Sequence, residues 1–120
     1  MMTPDQLRDR ILELLDDIKA KDVLCIDVAE RTSMTEYMII ACGTSGRHLN
    51  SMAEHVALET KRQGEVVLGI EGKGGDWVLL DHGCVVTHIM SAEAREFYDL
   101  ERLWQPLAPG EKRPEEDKES

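Results

Sequence analysis

The sequence predicts a small single-domain α/β fold, with a mixed, mainly five-stranded sheet flanked by helices. Three observations point there. A strand–helix–strand succession from Tyr37 through Ile70 implies a parallel, right-handed crossover. A tight hairpin signal at His82-Gly83 adds an antiparallel pair, so the sheet should be mixed. And 120 residues suffice for one compact domain but not for two.

The elements follow in order. Thr3-Pro4-Asp5-Gln6 opens a helix with a Thr N-cap, Pro at the first helical position and Gln three residues past the cap. Leu7, Ile11, Leu14, Leu15 and Ile18 then fall on one face. Val23-Leu-Cys-Ile-Asp-Val28 is an apolar, β-rich run too short for a helix, and reads as a buried strand. Tyr37-Met-Ile-Ile-Ala-Cys42 is a second such strand, ending at Gly43-Thr-Ser-Gly46. Leu49, Met52, Ala53, Val56 and Thr60 form the inner stripe of a second helix that closes at Gly64. Val66-Val-Leu-Gly-Ile70 is the third strand and Gly72-Lys-Gly-Gly-Asp76 a turn. Two strands joined at His82-Gly83 complete the sheet. Ser91 can cap a last short helix beginning near Ala92. The domain is expected to occupy residues 1–106, with 107–120 an acidic, disordered tail, because Pro, Gly and charge dominate there.

Charge and composition narrow the function. The formal net charge is -10 and the pI about 4.8, which argues against gripping nucleic acid by its phosphates. That balance suits a basic partner, drawn in by attraction that salt screens. Cys25, Cys42 and Cys84 are odd in number, widely spaced and set in apolar runs, as reduced, buried cytosolic cysteines are. No signal peptide is visible after Met1, and no apolar segment approaches the roughly 20 residues needed to span a bilayer. A soluble, cytoplasmic protein is expected.

Catalytic chemistry finds little support. Gly43-Thr-Ser-Gly46 lies between a strand and a helix, where backbone N–H groups favour anions, but it lacks the Lys of a P-loop and the third Gly of a dinucleotide fingerprint. A sharp turn capped by Thr44 or Ser45 is the favoured reading. No alternating acids follow it to hold magnesium. His82, Cys84 and His88 are the densest set of candidate metal ligands. However, Cys84 and His88 would lie roughly 13 Å apart along a strand, too far to share an ion, and His82 reads as a turn residue. Arg47 and His48 suit a solvated first helical turn better than an anion site. Glu71 and Asp76 suit turn chemistry better than acid–base catalysis. No catalytic, cofactor-binding or metal-ligating residue is assigned.

The aromatic residues say more. Of two Trp, two Tyr and one Phe, all but Tyr37 fall at Trp77 or in the arm Arg95-Glu-Phe-Tyr-Asp-Leu-Glu-Arg-Leu-Trp104. Large amphipathic side chains with no catalytic group beside them suggest a contact surface. The helical spacing of Phe97, Leu100 and Trp104 places Phe97 and Leu100 in the core. Trp77, Tyr98 and Trp104 stand evenly between core and interface.

From about Leu7 to Trp104 the chain resembles the ribosomal silencing factors, the Iojap family. The motifs are Asp22-Val-Leu-Cys-Ile-Asp-Val28, Thr35-Glu-Tyr-Met-Ile-Ile40, Gly43-Thr-Ser-Gly-Arg-His48, Gly69-Ile-Glu-Gly72, Asp76-Trp-Val-Leu-Leu-Asp81, Val86-Thr-His-Ile-Met90 and the arm itself. None decides alone, but their order and spacing are specific. Cys42, Gly46 and Cys84 are mild departures, and the acidic tail lies outside the resemblance. The resemblance implies a nucleotidyltransferase-like fold without catalytic acids. It also implies a non-enzymatic repressor that binds the large ribosomal subunit through its fourteenth protein, a basic protein at the intersubunit face, and obstructs joining of the small subunit. A homodimer of the free protein is plausible on the same grounds. Trp77, Met90, Tyr98 and Trp104 are then the expected anchors, with Asp81, Asp99 and Glu101 supplying negative potential. The alternative is a nucleotide-handling enzyme using the Gly43–Gly46 turn.

The composition of the tail yields a first prediction. Deleting residues 110–120 removes no core-forming side chain, and ordering that segment would cost roughly 1–2 kcal/mol per residue in backbone entropy. The truncated protein should melt as cooperatively as the full chain. Loss of the cooperative transition would move the domain boundary.

Overall fold

A computed structural model of the chain describes residues 1–104; the expected tail over 107–120 lies outside them. Its elements are α1 (Pro4–Asp17), β1 (Lys21–Asp27), β2 (Tyr37–Gly43), α2 (Gly46–Arg62), β3 (Gly69–Glu71), β4 (Trp77–Asp81), β5 (Val85–Ser91), α3 (Ala92–Tyr98) and α4 (Leu100–Trp104). The five strands form one mixed sheet in the order β1-β2-β5-β4-β3.

Local chemistry sets most boundaries. Thr3 accepts from the Gln6 N–H while the Gln6 side chain accepts from the Thr3 N–H, a complete capping box. α2 closes at Gly64, whose φ is +88°. The Gly64 N–H bonds the Lys61 carbonyl and the Glu65 N–H that of Thr60, the paired bonds of a Schellman end. The chain leaving that end descends from the helix layer to the sheet. The third strand, expected from Val66, therefore begins only at Gly69 and leaves Val66 and Leu68 exposed.

The predicted crossover holds in direction but not in neighbourhood. β3 runs parallel to β2, yet β5 and β4 lie between them. The parallel pair that forms is β2 with β5, in register from Tyr37↔Val85 to Gly43↔Ser91. The hairpin is one residue longer than its dipeptide signal, since His82, Gly83 and Cys84 all lie between the strands. Gly83 takes the positive φ, the His82 N–H donates to the Val85 carbonyl, and the Gly83 N–H donates to the Asp81 carboxylate.

The two faces of the sheet are unequal. α1 and α2 cover one, packing Leu7, Ile11, Leu14, Leu15, Leu49, Met52, Ala53 and Val56 on Ile39, Ala41, Val78, Leu80, Val85 and Ile89. On the other, Val28, Met38, Ile40, Met90 and Ala94 make a smaller core, with Ile26, Trp77 and Leu100 only partly covered. The helices at that end, α3 and α4, are seven and five residues long. Beyond them no other described element covers this face.

Gly72 fixes where β4 starts, and so where Trp77 stands. Its φ is +84°, and a β-carbon there would lie 2.2 Å from the Trp77 carbonyl oxygen. Replacing Gly72 with Ala should therefore cost at least on the order of 1–3 kcal/mol in urea unfolding. An unchanged midpoint would mean that this turn does not set the strand.

Candidate functional site

The arm is built from its caps outward. Ser91 ends β5, accepts from the Ala94 N–H to start α3, and donates its own N–H to the Asp76 carbonyl beside the Gly72 turn. Asp99 then takes a left-handed conformation (φ +49°), stopping α3 before α4 begins. Arg95 fastens the arm to the sheet. Its Nε donates to Glu101 at 2.7 Å, while Nη1 donates to the Asp22 carbonyl and lies 3.4 Å from Cys42 Sγ. With Arg95 holding three elements, the residues at the end of α3 project outward.

Those residues form a graded aromatic row. Phe97 is 80% exposed and meets Tyr98 edge-on at 5.0 Å between ring centroids. Tyr98, 47% exposed, packs on Trp77 at 4.7 Å. The half-buried Trp77 donates its indole N–H to Nδ1 of His88 at 3.0 Å. Such ring pairs contribute about 0.5–1.5 kcal/mol each beyond the area they bury. The row ends in a group with no charge to offer, because burial pushes the His88 imidazole down to about 4.

Along the same open face, past Leu79, a second apolar feature appears. Met34 and Leu68 are largely exposed and, with Val86, Thr32, Thr35, Gly83 and Asp81, line a hollow of about 360 Å³. Nothing local in the sequence marks this hollow: a strand expected over Val66–Ile70 would make Leu68 internal, and β3 starts only at Gly69.

The expected contact residues divide. Trp77 and Tyr98 come together at the aromatic end. Asp99, next in the chain, is exposed and faces a hollow lined by Asp22, Cys42 and Arg95. Asp81 lies on the Trp77 face of β4, where its carboxylate also accepts from Gly83. Met90 does not belong with them. It is 0% exposed, because β5 is a central strand whose second face is covered there by α3. Glu101 is half-buried and paired with Arg95, so it ties the arm internally instead of presenting free charge. Trp104 ends α4, and its side chain lies outside the described residues. Phe97, expected in the core, faces solvent. Helical spacing through Trp104 requires one continuous helix, whereas the left-handed turn at Asp99 resets the phase, leaving Ala94 and Leu100 to face the sheet.

The chemistry considered for catalysis resolves into structural ties. Ser45 caps α2, accepting from the His48 N–H. The Thr44 N–H, a donor that a phosphate in this turn would need, is taken by His48 Nδ1 at 3.0 Å. His48 Nε2 in turn donates to the Ile18 carbonyl at 2.7 Å, so His48 staples the end of α1 to the start of α2. It is not a solvated first-turn residue. His82 is buried, with Nε2 against Thr60 Oγ1 at 3.0 Å, so it locks the hairpin to α2 as well as turning the chain. Among the described residues no group of three or more His, Cys, Asp or Glu is disposed to hold a metal. Nor is any helix there long and apolar enough to cross a membrane. Cys42 is buried, whereas Cys25 and Cys84 are only half-buried, and burial raises the thiol pKa of both.

The described residues thus form a helix-backed mixed sheet whose second face carries an exposed aromatic edge. Over residues 2–120 the chain matches the family described as ribosomal silencing factor during starvation, a span that includes the acidic tail. The protein belongs to that ribosomal silencing factor family. One relative, a ribosomal silencing factor of Haemophilus influenzae, is 42% identical over 95 residues, covering 78% of this chain and 93% of its own. A mouse protein named for mitochondrial assembly of the ribosomal large subunit is 37% identical over 80% of this chain and 44% of its own. A crystal structure of a Chromobacterium violaceum protein superposes with a TM-score of 0.84 at 37% identity, covering 89% of this chain and 92% of that one.

The environment of His88 gives a pH prediction. The folded protein holds this imidazole neutral down to about pH 4, whereas an unfolded chain protonates it near 6.5. Its stability contribution is complete above pH 6.5 and is lost as pH falls toward 4, a change of roughly 3 kcal/mol at most. Burial also lowers the pKa of His82, which tilts the curve the same way. Urea unfolding should show stability dropping across this window, with a shallower drop in His88→Phe. An equal slope in the variant would assign the acid sensitivity elsewhere.

Proposed function

We propose that this chain is a translation repressor that binds the large ribosomal subunit and sterically blocks joining of the small one. The partner is a basic protein at the intersubunit face, the subunit's fourteenth. The observation that carries this reading is the exposed Phe97–Tyr98 pair seated on Trp77, at the edge of an uncovered sheet face in a chain of net charge -10. Family membership supplies the ribosome, and the mouse relative's name points to the large subunit.

A domain of this size need not catalyse anything to repress. It has only to occupy surface that the other subunit requires. A few aromatic anchors can supply most of the affinity of a modest interface, with surrounding contacts excluding water. Asp99 at the arm and Asp81 by the hollow give the face a negative rim suited to a basic partner, speeding encounter at low salt. Met90 is replaced among the anchors by Phe97, and Glu101 acts by fixing the arm. The protein works without a cofactor in the cytoplasm, and free copies pair as a homodimer through the face that the ribosome then takes.

Sedimentation with isolated subunits tests the reading. The protein should travel with the large subunit and not the small, and moderate salt should weaken the complex. Equal binding to both subunits, or to bare ribosomal RNA, would overturn it.

Two substitutions probe the surface. Tyr98→Ala should weaken large-subunit binding by about 1–2 kcal/mol or more, while the melting temperature stays within a few degrees. Asp99→Asn keeps a residue that tolerates the left-handed turn but removes the charge, so it should flatten the salt dependence without altering stability. Normal melting together with full-strength, equally salt-sensitive binding in both variants would remove the arm from the interface.

A further inference from the structure

We propose that His88 is a positioning residue for the contact face: by accepting the Trp77 indole N–H, it fixes the tilt at which Trp77 supports Tyr98. This rests on the reading of the aromatic edge as the ribosome contact, and extends it to a residue that need not itself touch the partner.

Trp77 pairs with Met90 and Leu79 with His88, so Trp77 and His88 are diagonal neighbours on the same face of an antiparallel pair. Their ring centroids are 5.7 Å apart at 47°. Backbone position alone does not determine where a half-exposed indole points, since both of its side-chain torsions remain adjustable. A directional bond supplies what packing does not. The indole N–H can only donate, and His88 Nδ1 accepts it at 3.0 Å, which requires the tautomer protonated at Nε2.

The surroundings favour the neutral ring. β2 presents Met38, Ile40 and Cys42 on this face, β4 adds Leu79 and Asp81 to Trp77, and α3 brings Tyr98 and Arg95. Of these, Cys42, Asp81, Tyr98 and Arg95 are titratable or charged. The low pKa of His88 has burial as its cause, with no charged neighbour contributing. A neutral acceptor is therefore available to Trp77 throughout the physiological range. A protonated ring would set two N–H groups against each other and release the indole. Holding the row in its bound arrangement before encounter reduces the ordering that binding must otherwise supply.

The test reads Trp77 directly. In proton–nitrogen spectra of the full chain, the Trp77 indole N–H signal is assigned by its absence in Trp77→Phe. His88→Phe should move that signal toward the solvent-exposed position and speed its exchange. Large-subunit binding should weaken about tenfold, with the melting temperature within a few degrees. His88→Gln, whose amide oxygen can accept, should recover part of both. An unmoved indole signal in His88→Phe, or a moved one with full-strength binding, would overturn the proposal.

Should His88→Phe not fold, the wild-type protein decides by acid titration. The indole signal must move in step with the His88 ring protons, and independence of the two would be equally decisive against it. If wild-type protein does not sediment with the large subunit, the ribosome reading falls, while the indole signal still reports whether His88 holds Trp77.

Discussion

The parallel joint between β2 and β5 is the constraint on which the rest of this fold depends. It brings Tyr37–Gly43 against Val85–Ser91, segments between which α2, β3 and β4 all lie. Both strands are buried along most of their length, so neither can shift register without moving core residues to the wrong face. Because the strands are parallel, their carboxyl ends coincide at Gly43 and Ser91, and α2 and α3 both leave the sheet from that end. The arm, the Arg95 ties and the aromatic row are all placed by that coincidence. A sheet made wholly of hairpins would have put the arm elsewhere.

The bareness of the second face has a physical origin in element length. α1 and α2, with 14 and 17 residues, carry enough apolar positions to cover one side of the sheet. Among the described side chains, the shorter α3 and α4 bring Ala94, Arg95, Tyr98 and Leu100 to the other. The remaining apolar surface, from Trp77 past Leu79 and Val86 to Leu68 and Met34, is covered by no other described element. The core is thus divided unequally between the two sides of the same strands, and Trp77 stays only partly covered.

Much of this was legible in the sequence because the signals were local. The Thr3-Pro4-Gln6 start, the Ser91 cap, the Gly64 stop and the hairpin glycine are each read within a few residues, and each stands where expected. The site was less legible, because its determinants are not local. Arg95 bonds residues 73 and 53 positions away, so nothing in its neighbourhood marked it. Met90 is an expected anchor as a large side chain near the arm, but strand order decides burial, and only the full sheet makes β5 central. Phe97 was misplaced by assuming that a helical period runs through Asp99. Tyr98 and Trp77, undecided between core and surface, prove to be half of each.

The bulge at the outer strand has a further consequence. β1 is an edge, and its ladder with β2 breaks between Lys21 and Leu24, where Asp22 takes a positive φ. Arg95 occupies the Asp22 carbonyl at that break. A sheet edge with free carbonyls invites another chain to extend it, and bulges and charge are common protections. Here the same guanidinium that aims the arm also closes part of the edge. Damage to Arg95 would therefore loosen the arm and bare the Asp22 carbonyl to another chain in one step, so that self-association would accompany any change in the arm.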